Sequence, residues 1–310
     1  MKKVKIFKNL DEQIDILRSR NLIIDNEEKT KEILLRENYF FINGYRHLFV
    51  DSTKPINFIT GTTFEELYGV FVFDRKIRNI FFKYLLLVEN NIKSVISYQM
   101  SKKYGYKEKD YLDPKNFTQD NSKVRQVYDI LNKMKRQIRI NGGKHTATMH
   151  YLNNYGYIPM WILVKVLSFG IISELYGILK AEDQMRVADI YKISPDKLEI
   201  YLSLLANFRN LCAHEDILYD HRTNRCIPDN EYHYKMDIPK VDNEYIYGKN
   251  DLYSLIIMLK DMLREEEFRE LIHEVSYEID WLSGKIKIVP VNLILNKIGF
   301  PDNWRDIIDL

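Results

Sequence analysis

Cysteine is almost missing from this chain: Cys212 and Cys226 are the only two in 310 residues. Two thiols make neither a disulfide framework nor a zinc set. The opening "MKKVKIFKNLDEQ" has no apolar core and no small-residue cleavage site, so no secretory signal is read there. Reduced thiols in a cytoplasmic protein are therefore expected. Glycine and proline are also scarce, 12 and 8 residues, which excludes collagen-like and disordered compositions. No apolar run approaches the ~20 residues of a membrane span, so no membrane partner is expected. Charge of one sign is lacking too. With 46 basic against 44 acidic residues the net charge is +2, which argues against a generic nucleic-acid coat but leaves room for a local basic groove. There is no Gly-rich phosphate loop, no Cys/His zinc spacing and no acid cluster suited to two metals, so neither a cofactor nor a metal is expected. The 22 tyrosines accompany an excess of lysine, isoleucine and asparagine such as an AT-rich genome produces, and number alone gives them no RNA-stacking role.

What remains is helical periodicity. Apolar positions recur at three- and four-residue spacing along most of the chain. "DEQIDILRSR" (11–20) makes a short amphipathic helix. The next begins with Asp25 as N-cap and Glu28 three residues on, and stops at Gly44. Residues 52–64 read as a loop, with Thr63 capping the stretch 64–105, which is long enough to predict a break near Gly69. Residues 107–121 are a polar connection, and 122–140 form a basic amphipathic helix ended by Gly142-Gly143. "IPMWILVKVLSFGIISELYGIL" (158–179) is almost wholly apolar and marks a central helix, with Trp161, like Trp304, read as core. Ser194 and Pro195 open a helix running to residue 214. After 220 a long polar loop, with room for one short hairpin, carries whatever β structure there is. Helices return at 251–264 and 265–282, and a tail (288–310) closes the chain. The expectation is an all-α single domain over 1–310: an N-terminal extension (1–63), a core bundle (64–219), a long loop (220–250), and C-terminal helices (251–310) packed on the core.

The stretch with chemistry in it is "FRNLCAHEDILYD" (208–220). Phosphodiester cleavage by 2′-hydroxyl attack needs a base near pH 7 and an acid for the leaving oxygen, tasks that suit histidine. It also needs a permanent cation on the phosphate, which the forked donors of arginine provide. Asn210 and His214 are neighbours at i and i+4, so the amide could orient the ring. Arg209 lies about 140° around an ideal helix from His214, so either its side chain reaches round or the helix loosens. The bland alternative is a charged helix end serving solubility.

The wider text resembles a known family. "INGYRHLF", "ELYGVFVFDRKIRNIFFKYLLLVENNIK", "HYLNNYGYIPMWILVKVLSFGIISELYGIL", "YLSLLANFRNLCAHEDILYD" and "IGFPDNW" look, in that order, like the Abi-like family of abortive-infection (AbiD/AbiF-type) phage-resistance proteins. The resemblance runs from about residue 10 to the end. That family belongs to the HEPN superfamily, so it implies a HEPN-like helical bundle with additional N- and C-terminal helices. It also implies a metal-independent endoribonuclease working as a homodimer, with two motifs meeting across an interface. Arg209 and His214 would be the catalytic pair and Asn210 their support. RNA would be the substrate, and a structured noncoding RNA the restraint, as in a toxin–antitoxin pair. Where relatives are expected to carry a further histidine or basic residue after the motif, Glu215 and Asp216 stand here. Asp74, Arg75 and Arg78 match the family's Phe-Asp-Arg stretch, as a basic rim on an RNA groove or as an internal Asp–Arg pair. His150 is read as a site assistant or a structural histidine, and Glu89 as a buried partner for Arg209. The rival function is a helical module of a phage-resistance system that binds RNA or protein without cleaving.

Overall fold

Local capping signals set most helix starts. In the computed structural model, which describes residues 6–53 and 55–310, α1 (Leu10–Arg18) opens on an Asn9/Glu12 capping box. The cap of α2 (Glu27–Glu37) is Asn26 rather than Asp25, because the Asn26 side chain accepts the Lys29 N–H. A short α3 (Tyr39–Asn43) follows. The expected loop after residue 52 instead contains an antiparallel hairpin of β1 (Val50–Thr53) and β2 (Ile56–Phe58). The Asn57 amide ties back to Asp51 and Phe58 is fully buried, which anchors the pair. Sheet structure is therefore not confined to the 220–250 loop.

Helix α4 (Phe64–Tyr104) is the spine of the molecule and runs unbroken for 41 residues. Thr63 and Glu66 form its capping box. Gly69 does not break it. A Cβ there would already touch the Lys285 Cβ at 3.5 Å, so the glycine marks a close helix approach rather than a kink. After α5 (Glu108–Tyr111) come α6 (Val124–Asn141) and α7 (Thr146–Tyr155). The apolar run expected as one central helix is two, α8 (Met160–Val166) and α9 (Phe169–Gly177). Leu167 is extended, and the Ser168 hydroxyl accepts the Ile171 N–H to start the second. Then follow α10 (Ala181–Ala188) and α11 (Pro195–Ala213), the latter capped by Ser194 with Pro195 in its first turn.

Beyond the motif, α12 (Glu231–Lys235) and a small hairpin of β3 (Lys240–Val241) and β4 (Glu244–Tyr245) lead to α13 (Leu252–Met262), α14 (Glu265–Ser283) and α15 (Val291–Ile298). Helices α8, α11 and α14 pack on α4, and α9 packs on α11. From Leu252 to Leu259 every residue of α13 is buried. Glu66 binds the far end of the chain, accepting the N–H groups of Lys287 and Ile288 at 2.7 and 2.9 Å. Burial alone would raise its carboxyl, but these amides and that of Thr63 hold it below the ordinary glutamate range. Among the described residues the fold is all-α apart from two small hairpins.

Candidate active site

Two carboxylates of α4 organise the C-terminal end of α11. The first, Asp74, is 1% exposed, and its Oδ2 accepts hydrogen bonds from the Tyr45 hydroxyl (2.7 Å), the Arg78 guanidinium (3.1 Å) and the Leu218 N–H (3.2 Å). Burial pushes this carboxyl above its usual range, and the three donors oppose that push. Arg78 is itself buried and reaches on to the carbonyls of Glu215 (3.3 Å) and Asp216 (2.8 Å). The chain therefore reverses after the motif under a clamp. It needs one: Glu215 has φ +57°, the left-handed position where a helix end usually carries glycine. Cys212 is buried here, and burial pushes its thiol up to about 12, so it is inert.

Of the two readings of the Phe-Asp-Arg stretch, the internal pair describes Arg78. Arg75 is engaged as well. Its guanidinium forks onto Glu37 of α2, with one bond of 3.0 Å, and lies 4.7 Å from the Phe71 ring centroid. Neither arginine forms an unengaged basic rim. Their work is to hold the N-terminal helices and the motif turn against α4.

The second carboxylate, Glu89, is 3% exposed and sits between two cations. Lys93 Nζ donates to Oε1 at 2.7 Å, and Arg209 Nε donates to Oε2 at 2.9 Å. This is the buried partner the sequence suggested for Arg209. The guanidinium is pinned through Nε, with its side chain 28% exposed and its centre 5.9 Å from the Phe82 ring. Among the described residues no protein acceptor engages its two terminal nitrogens, which leaves a fork of donors available.

His214 is the C-cap, one position past the last helical residue. It is exposed, as is Asn210. Their link is the backbone bond from the His214 N–H to the Asn210 carbonyl at 3.0 Å, not the amide-to-ring contact expected. Within one chain no side-chain hydrogen bond joins the three residues.

The structure adds a histidine that the sequence did not mark. His221 lies 3.2 Å from the Asn207 carboxamide oxygen and edge-on to Phe208. Burial, then the charge of Arg222, pushes its imidazole below the ordinary range, favouring the neutral form. Asn207 is exposed two helical turns before His214, about 10 Å along the axis. Ser203, Asn207, Asn210 and His214 thus form one exposed polar stripe on α11. Spacing could not reveal His221, because it returns to this stripe only through the clamped turn.

His150 lies on α7, exposed, with its ring against Tyr151 and Tyr155 and its Nδ1 3.2 Å from the Asn154 amide; no hydrogen bond joins it to the motif. Trp161 is 43% exposed rather than core, whereas Trp304 is buried. Among the described residues no three His, Cys, Asp or Glu side chains converge to hold a metal ion, and no helix is long and apolar enough to cross a membrane.

The model of the family described as Abi-like protein matches residues 32–220, a span that takes in α4, both carboxylates and the motif turn. No curated protein and no solved structure matches the chain.

Proposed function

The chain belongs to the Abi-like protein family, which links it to abortive infection, a phage-defence response, and on that premise we propose that it is the RNA-cleaving effector of such a system. The observation that carries this reading is the half-open Arg209: a buried carboxylate fixes its Nε, its terminal donors remain free, and an exposed histidine caps the same helix five residues later. Those donors would hold the non-bridging oxygens of a scissile phosphate and stabilise the charge that builds there. An imidazole would take the proton of the 2′-hydroxyl, whose oxygen bonds to phosphorus as the bond from phosphorus to the 5′-oxygen breaks. A second proton donor serves the leaving oxygen. The products are a 2′,3′-cyclic phosphate and a 5′-hydroxyl, and no residue in the scheme requires a metal.

His214 supplies one imidazole per chain. In a homodimer whose two-fold axis passes near the end of α11, the polar stripe of one protomer would face its counterpart. Two His214 rings and two Arg209 forks would then share one cleft, the arrangement of the HEPN superfamily. His221 favours a second reading, in which acid and base come from the same chain. Mixing Arg209→Ala with His214→Ala protein separates them: recovered activity supports the shared cleft, and none favours the single-chain site.

The test is incubation of purified protein with mixed RNA in EDTA. Fragments ending in cyclic phosphate are expected. RNA retained intact would instead support the non-cleaving binding module. A structured noncoding RNA as restraint predicts a defined transcript that co-purifies with the protein.

A further inference from the structure

An aromatic surface far from the motif has no part in the scheme above. Six rings form a continuous chain across α7, the turn that leads to α8, the first turn of α8 and the segment that follows α4. His150 and Tyr151 have centroids 5.5 Å apart, Tyr151 and Tyr155 5.3 Å, Tyr155 and Tyr157 6.4 Å. Tyr157 and Tyr106 follow at 5.8 Å, then Tyr106 and Trp161 at 5.4 Å. These rings are not a buried mini-core: Tyr155 is 58% exposed, Trp161 43% and Tyr106 39%.

The stretch of sequence that carries α6, α7 and α8 is one-sided in charge. Between residues 121 and 170 the sequence holds eight lysines and arginines and a single acid, Asp129, in a chain whose total is only +2. Lys107 Nζ lies 4.7 Å from the Tyr157 centroid, and the exposed Lys165 is one helical turn from Trp161. The end of α6 packs on α7, where a Cβ at Gly142 would meet Leu152 and the Thr148 hydroxyl donates to the Asn141 carbonyl. Exposed Arg139 and Lys144 stand within three residues of that junction. The acids beside the rings have local work: Glu108 accepts the Ile158 N–H and Asp110 the Lys107 N–H.

Stacked bases and a phosphate backbone are the ligand that matches exposed rings interleaved with unbalanced positive charge. We propose that this face binds single-stranded RNA, and that it delivers the strand to the motif site; the delivery step rests on the nuclease reading. Along α4, Glu89 and the helix end at Tyr104 are about 22 Å apart, a span that a short single strand bridges.

The experiment is fluorescence anisotropy with a labelled 2′-O-methyl single strand of about 12 nucleotides, within the length such grooves cover. Lacking the attacking hydroxyl, it reports binding without cleavage. Tyr155→Ala and Trp161→Ala are each expected to weaken binding about tenfold or more at unchanged melting temperature, and Tyr155→Phe to retain it. Arg139→Gln with Lys144→Gln should flatten the salt dependence. Affinity unchanged in both alanine variants would overturn the proposal. So would loss, in the same variants, of binding to anionic lipid vesicles while RNA binding persists. Wild-type protein that binds this strand but cleaves no RNA would sink the nuclease and leave the platform standing; cleavage with unaltered binding in the variants would do the reverse.

Discussion

Asp74 with Arg78 and Glu89 with Arg209 are the same chemistry at two levels of α4, and they end differently. In the first pair both partners are buried, and the guanidinium spends its remaining reach on two backbone carbonyls. In the second the acid is buried but the arginine is partly open, with its terminal donors unengaged. A saturated pair can only hold structure. A half-saturated pair holds one end of a cation still and offers the other to a ligand. The clamp fixes the turn after His214, and the open pair supplies a charge from the last turns of α11.

That contrast ranks the substitutions. Asp74→Ala should have the largest effect on stability. It strands buried Arg78 and the Tyr45 hydroxyl, so a loss of about 3–5 kcal/mol is expected in urea unfolding. A loss under about 1 kcal/mol would mean that the clamp is incidental. Glu89→Gln should cost less, about 1–3 kcal/mol, because Arg209 can turn its charge toward water and the carboxamide oxygen can still accept from buried Lys93. It should nevertheless depress RNA cleavage strongly, since the fork loses its fixed direction. Equal damage from Asp74→Ala and Glu89→Gln in both assays would erase the distinction between them.

A buried group without charge gives the smallest effect and a control. His233 is fully buried, with Nε2 2.9 Å from the Gly248 carbonyl and Nδ1 accepting the Asn230 N–H. Burial pushes its imidazole below the ordinary range. The unfolded chain thus binds a proton that the native ring resists, so this contribution is present above about pH 6.5 and fades as pH falls below it. Melting temperature should decline more steeply from pH 7 to 5.5 in wild type than in His233→Gln. Parallel curves would remove His233 as the cause.

Much of this was legible in the sequence, for identifiable reasons. Capping is local, so Thr63 located the start of α4 and Ser194 with Pro195 that of α11. The isolation of Glu89 on an apolar face announced a buried partner, and Arg209 is one. Features that depend on distant neighbours were not legible. Gly69 reads as a breaker until Lys285 is seen against it, and the break at Leu167–Ser168 lies inside an apolar run without punctuation. For Arg75 and Arg78 the sequence left a basic rim and an internal Asp–Arg pair equally open, because Glu37 and the motif carbonyls are remote in sequence. Trp161 looks like core because its neighbours are apolar, yet it faces outward on a seven-residue helix.

The central claim is that the open pair and His214 form a reactive end while the clamp beneath them is structural. The most direct measurement is the rate of RNA cleavage in EDTA by wild type and His214→Ala, with the melting temperature of each. His214 is exposed, and its only bond to α11 is through the backbone, so the variant should keep its melting temperature. The lost proton transfer should slow cleavage by about 10²–10⁴-fold. An unchanged rate, or a variant that has lost its fold, would contradict the account.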